Sequence, residues 1–163
     1  MYDVLAIAND LLQIAKARGK ALTPQQVTKL TYLAQGWSLA LRGRRLFPNR
    51  IEAWQYGPII PDLYHATRSY GRSPIPASLI DDRQLVCNDV RRFLEGVFHR
   101  YGHLDGPDLS YITHQAGTPW AQMARSGCIG DEIPVGKIAQ HFRQLAAEAR
   151  TYDRAGQQQT SPA

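Results

Sequence analysis

Cysteine is nearly absent: two occur in 163 residues. Cys87 and Cys128 are far apart and form no Cys-x-x-Cys pair, so they read as reduced, small apolar residues with no disulfide or metal role. No apolar run approaches the ~20 residues that cross a bilayer, so no membrane-spanning helix and no membrane partner are expected. Met1-Tyr2-Asp3 lacks the basic start and continuous apolar block of a secretion signal, so the expected location is cytoplasmic. Lysine is scarce as well, 4 residues against 15 arginines, within a net charge of +5. A Gly-rich phosphate loop is missing: LRGRRL at 41–46 has one glycine and no Lys-Ser/Thr to reach phosphate and magnesium. There is no internal repeat. A chain of this length buries a core without staples, and we read 1–150 as one helical domain. The remainder, 151–163, has almost nothing to bury and reads as a disordered tail.

The chain is organised around the stretch from Thr23 to Pro61. Thr23, Pro24 and Gln26 form a capping box with proline at the first helical position. Val27, Leu30, Ala34, Trp37 and Leu41 then line one face of a helix that Gly43 ends. From Leu46 to Tyr56 the period becomes two, with Ile51, Ala53 and Gln55 on one side and Glu52, Trp54 and Tyr56 on the other. A Pro48-Asn49 turn signal interrupts it, which predicts a short two-stranded element. Gly57-Pro58 and Pro61 punctuate its exit, and a helix follows through Leu63, Tyr64, Thr67 and Tyr70.

Around this stretch the spacing predicts a first helix over about 3–18, with Val4, Leu5, Ala8, Leu11, Leu12 and Ala15 buried. After a Pro-containing loop over 71–82, a helix with Asp81 and Asp82 at its N-terminal end carries Leu85, Val86, Val90, Phe93, Leu94, Val97, Phe98 and Tyr101. Its apolar face is as wide as that of the central helix of a bundle. Gly106-Pro107 opens a short helix toward His114, Thr118-Pro119 starts another through Trp120 and Met123, and a last helix follows Pro134. The expected fold is therefore mainly α, a bundle of six or seven helices with a small antiparallel β element between the second and third.

The chemical constellations are weak. His99 and His103 are four apart, but Gly102 ends the helix between them and no third ligand is evident, so no metal site is expected. Ser110 and His114 share a helix face, yet Asp108 does not face Ser110 and no oxyanion loop accompanies them. His114 is expected to cap its helix or bond the backbone near Pro119, and the chain is expected not to be an enzyme and to need no cofactor. Arg42, Arg44, Arg45 and Arg50 surround the helix end and the start of the strand pair; the first three suit a helix C-terminus electrostatically, and the four also make a positive patch that nucleic acid or an acidic protein would meet. Trp37 and Trp120 read as core. Trp54, with Glu52, Tyr56 and the arginines of 42–50, reads as a protein-docking surface of aromatic anchors and Arg forks.

The ordered run of Lys29-Leu30 with Tyr32, Ala34-Gln35-Gly36-Trp37, Leu46-Phe47, Ile51-Glu52-Ala53-Trp54, Tyr56-Gly57-Pro58, Pro61, Tyr64 and Tyr70-Gly71 resembles the Panacea domain of SocA-like antitoxins. Leu109-Ser110, Thr113-His114 and Pro119-Trp120 extend the resemblance. The spacer Gln115-Ala116-Gly117-Thr118 departs from it, since many relatives carry an acid there. The resemblance implies an antitoxin, often prophage-associated, that neutralises a toxin encoded beside it by direct binding. In some relatives the domain is instead an adaptor that delivers the toxin to a ClpXP-type protease. Arg42, Arg44, Arg45, Arg50, Glu52, Trp54, Tyr56 and Tyr64 are then the expected partner-binding residues. Lys29, Tyr32, Gln35, Trp37, Gly57, Pro58, Ser110, Thr113, His114, Pro119 and Trp120 are the motif residues expected to be structural. A nucleic-acid-binding regulator using the Arg42–Arg50 cluster is the alternative.

Overall fold

The computed structural model describes residues 1–76 and 85–159. Among them are seven α-helices in the order α1 (Val4–Ala17), α2 (Pro24–Arg42), α3 (Pro61–Thr67), α4 (Asn88–Tyr101), α5 (Gly106–His114), α6 (Pro119–Arg125) and α7 (Val135–Gln159). A two-stranded antiparallel hairpin, β1 (Glu52–Trp54) and β2 (Gly57–Ile59), lies between α2 and α3, and a 3₁₀ turn (Arg68–Tyr70) follows α3. The fold is mainly α with the small β element where it was expected.

The axis of the bundle is α2, not α4. The capping box forms as read: the Thr23 hydroxyl accepts from Gln26 N–H, and Gln26 Oε1 accepts from Thr23 N–H at 3.0 Å. From Val27 to Leu39 every residue of α2 is buried, because α1, α4, α5, α7 and the hairpin surround it. Buried Lys29, Thr31, Gln35 and Ser38 all find partners inside the molecule. Gln35 accepts from Leu46 N–H (2.7 Å) and donates to the Phe47 carbonyl (2.8 Å), which fastens the chain leaving α2 back onto the helix. Ser38 donates to the Arg44 carbonyl at 2.8 Å.

Phe142 of α7 seats on α2 between Tyr32 and Trp37, edge-on to both rings with centroids 5.9 and 5.4 Å away. Gly36 makes room for it; a Cβ there would overlap the Phe142 ring. Trp37 donates from Nε1 to the Tyr101 hydroxyl at 2.8 Å, tying α4 to the same place. Asp10 of α1 is buried and ion-paired with Arg91 of α4.

Several expectations need correction. α4 begins at Asn88 with Cys87 as its N-cap, and Asp89 is its first-turn acid. Leu85 is 83% exposed ahead of that helix, while Asp81 and Asp82 lie outside the described residues. α4 buries only Val90, Leu94, Val97 and Phe98; Phe93 is half-buried with the Arg42 guanidinium over its ring, so this is an outer helix. Cys87 is an exposed thiol and not a buried apolar residue. Finally, α7 does not stop at 150. Residues 151–158 continue as an exposed helix, since extending a formed helix adds a hydrogen bond per residue and requires no buried face; residues 160–163 lie outside the description. Among the described residues no helix is long and apolar enough to cross a membrane.

Candidate functional site

The hairpin pairs Glu52 with Ile59, Ala53 with Pro58 and Trp54 with Gly57 across a two-residue turn at Gln55-Tyr56. The turn is therefore not at Pro48-Asn49, and Leu46-Phe47 is not a strand; those two residues are buried under the Gln35 amide. Gly57-Pro58, read as an exit, belongs to β2. Proline is tolerated there because β2 is an edge strand. On the other side of β1 the 130–133 segment adds a partial third strand, with Ala53 N–H donating to the Asp131 carbonyl (2.9 Å) and Ile133 N–H to the Ile51 carbonyl (2.8 Å).

Strands of three residues hold no hairpin by themselves. Here three alternate carbonyls of the hairpin accept bonds from side chains of three helices. Trp120 Nε1 on α6 donates to the Trp54 carbonyl (2.6 Å), Ser110 Oγ on α5 to that of Tyr56 (3.0 Å), and Lys29 Nζ on α2 to that of Pro58 (2.8 Å). Gly57 completes the clamp: its φ of 121° lies where only glycine is comfortable, and a Cβ would stand 2.8 Å from Lys29 Nζ. Thr113 donates to the carbonyls of Leu109 and Ser110, one turn back on α5. Pro119 is buried at the start of α6, behind the Thr118 cap. Burial brings the Lys29 ammonium down to about 8 and pushes the Tyr32 phenol above its ordinary range. The amine donates to Pro58 in either protonation state.

What the clamp presents outward is aromatic. Tyr56 at the turn is 76% exposed. Trp54 meets Tyr64 of α3 edge-on at 4.8 Å, and Tyr64 meets His65 at 5.5 Å. Trp54 Nε1 donates to Glu52 Oε2 (2.7 Å), whose other oxygen lies 3.3 Å from Arg50. Beside this surface a cleft of about 330 Å³ runs between the hairpin and α3, lined by Tyr56, Ile59, Tyr64, Thr67 and Arg68 with Lys29 at its foot. Ile59 and Arg68 carried no signal in the sequence and Thr67 only that of the following helix, since only the hairpin's true register brings them alongside Tyr56.

The arginines divide. Arg50 is held between Glu52 and Glu132, at 3.3 and 3.7 Å, so its charge is neutralised at the hairpin. Arg42, Arg44 and Arg45 stand at the other end of α2, near Tyr2 and Asp89. Thirteen helical steps lead from Lys29 to Arg42, about 20 Å at ~1.5 Å per residue. The expected docking set is thus two patches joined by the 43–51 segment.

The candidate catalytic residues are occupied elsewhere. Ser110 is engaged with Tyr56, and the His114 ring packs edge-on between Tyr111 (6.3 Å) and Trp120 (5.4 Å). Among the described residues its buried Nδ1 has no hydrogen-bond partner, so the contacts His114 makes there are ring packing and not the expected cap or backbone bond. Trp120 is partly buried and Trp37 buried. His99 and His103 are exposed, and among the described residues no group of three or more His, Cys, Asp or Glu is placed to hold a metal ion.

Comparison with known proteins places the clamp in a family. Antitoxin SocA of Caulobacter vibrioides (strain NA1000 / CB15N) is 27% identical over 132 residues, covering 75% of this chain and 70% of that protein. No solved structure matches the chain. The family described as antitoxin SocA-like, Panacea domain, matches residues 27–121, a span that holds α2 from Val27 onward, the hairpin and every donor that clamps it. The chain belongs to this SocA-like antitoxin, Panacea-domain family.

Proposed function

We propose that this protein is a cytoplasmic, non-enzymatic antitoxin that neutralises a toxin encoded beside it by direct binding, and that Trp54, Tyr56 and Tyr64 anchor the toxin. The carrying observation is that the family's motif residues are spent on fixing a hairpin whose exposed product is an aromatic surface. Aromatic side chains held in place lose little entropy on binding, which is why they dominate interface energetics. A standard interface covers about 800 Å² per partner, a disc roughly 30 Å across. One toxin can therefore cover both the aromatic patch and Arg44-Arg45, with the arginines at the rim.

The test is expression of the adjacent gene with and without this protein, followed by co-purification. A toxic neighbour, restored growth and co-elution are expected. Tyr56→Ala with Tyr64→Ala should weaken the complex about 30-fold or more, the effect of losing a hot spot worth ~2 kcal/mol. Arg44→Glu with Arg45→Glu should weaken it less while leaving Tm nearly unchanged. A harmless neighbour, or rescue without a complex, defeats the reading. Rescue accompanied by protease-dependent loss of the toxin would instead assign the protein as an adaptor to a ClpXP-type protease. The exposed Arg44 and Arg45 favour one competing reading, nucleic-acid binding. It requires DNA affinity that falls ~10³-fold or more between about 50 and 200 mM salt for six phosphate contacts.

A further inference from the structure

Away from the hairpin, α2, α4 and α7 leave a groove of about 420 Å³, a size typical of ligand clefts. Its walls are apolar, formed by Leu41, Phe93, Val97 and Ala149. Leu41 belongs to the apolar stripe of α2 yet is 57% exposed there. Gly96 of α4 also lines it. A glycine inside a helix is destabilising relative to alanine, and a Cβ at Gly96 would meet nothing within 4 Å among the described residues. Among the described residues no neighbour requires glycine there; its smallness opens the α4 backbone to approach from outside. The projecting part of α7, exposed from 147 to 158, extends one wall.

The rim is basic, with Arg92, Arg100 and Arg150 against a lone acid, Asp153. Arg92 pairs with Asp89 at 2.8 Å. Arg100 stacks over the rings of Trp37 and Tyr101, 4.7 and 5.4 Å from their centroids. Among the described residues neither Arg100 nor Arg150 forms an ion pair.

We infer that this groove docks an amphipathic helix of a protein partner, one with large apolar residues along a single stripe and glutamates or aspartates on its flanks. The apolar walls take the stripe, the small residues admit the helix backbone, and the unpaired guanidiniums meet the acidic flanks. A second copy of this chain is the wrong occupant, because a two-fold pairing on this face sets one arginine rim against the other. The groove shares no residue with the hairpin surface, so the inference is independent of toxin binding there.

The test is a fluorescence-anisotropy titration of the full chain against stapled peptides of about 16 residues, stapled because short helices are marginal in water. The panel varies leucine, methionine and phenylalanine along the stripe and carries glutamate flanks, with matched lysine-flanked controls. Saturable binding of acidic peptides is expected, with the lysine-flanked versions at least about tenfold weaker. Gly96→Leu puts a side chain into the groove from a Cβ position with nothing within 4 Å among the described residues, should melt no lower than the parent, and should weaken binding about tenfold or more. Arg150→Glu should narrow the preference for acidic peptides. The inference is overturned by no saturable binding across the acidic panel, by indifference to flank charge, or by binding that Gly96→Leu leaves unchanged. Self-association of the parent chain that Gly96→Leu abolishes would also overturn it and give the groove to a second copy.

Discussion

Replacing Lys29 by methionine should change how stability depends on pH. Burial holds the Lys29 ammonium at about 8, against 10.5 for a free lysine. Between those values the unfolded chain keeps the proton and the native protein has released it. The unfolded state then binds more protons, so stability rises with pH across that window. At ~1.36 kcal/mol per pH unit the full rise is about 3 kcal/mol. Methionine keeps the length of the side chain and removes both the titration and the bond to Pro58. Tyr32 works in the opposite sense: its raised phenol weakens the fold as pH climbs past its ordinary value. It does so equally in both proteins, so the difference between them isolates Lys29. The assay is urea unfolding followed by tryptophan fluorescence at about pH 7, 9 and 10.5. The stability of the parent minus that of Lys29→Met should grow by about 3 kcal/mol over the series. A difference that stays flat or shrinks would refute the reasoning, since it would mean that the native ammonium keeps its charge at no cost.

Three other outcomes follow from the packing. Gly36→Ala places a methyl group in the Phe142 ring and should cost about 1–3 kcal/mol. That would lower Tm by roughly 2–4 °C per kcal/mol in a chain of this size. Trp120→Phe removes the donor to the Trp54 carbonyl; about 1 kcal/mol of stability should go, with amide exchange at the hairpin accelerating more than in α1. Arg91→Met strands the Asp10 carboxylate, whose pKa burial already raises despite that arginine, and should cost about 3 kcal/mol at neutral pH. Adding Asp10→Asn should recover most of that loss, as thermal melts of the single and double variants would reveal.

How much of this was legible depended on how local the cause was. The capping box at Thr23 and the Thr118-Pro119 start are written in adjacent residues, and both formed. The strand register was not local. Pro58 reads as a break because proline cannot donate to a ladder, and it enters β2 because its carbonyl is taken by Lys29, twenty-nine residues earlier. The central place of the Thr23–Pro61 stretch was legible, but not what satisfies its buried polar residues: Lys29, Gln35 and Ser38 take partners that arrive from 44–58. The arginines adjacent in sequence looked like one patch, and separated because the chain between Arg45 and Arg50 travels back along the helix. The aromatic site was visible as a set of residue types; Tyr64 joins Trp54 only because the hairpin delivers them to the same place.

The three donors that hold the hairpin come from positions 29, 110 and 120. A chain cut after α4, or one whose α5 and α6 have come undone, keeps every aromatic residue of the docking surface and loses two of its three tethers. On the proposed function, competence to bind is therefore a report on the completeness of the molecule: a copy without α5 and α6 carries the aromatic residues but not two of the bonds that fix their hairpin.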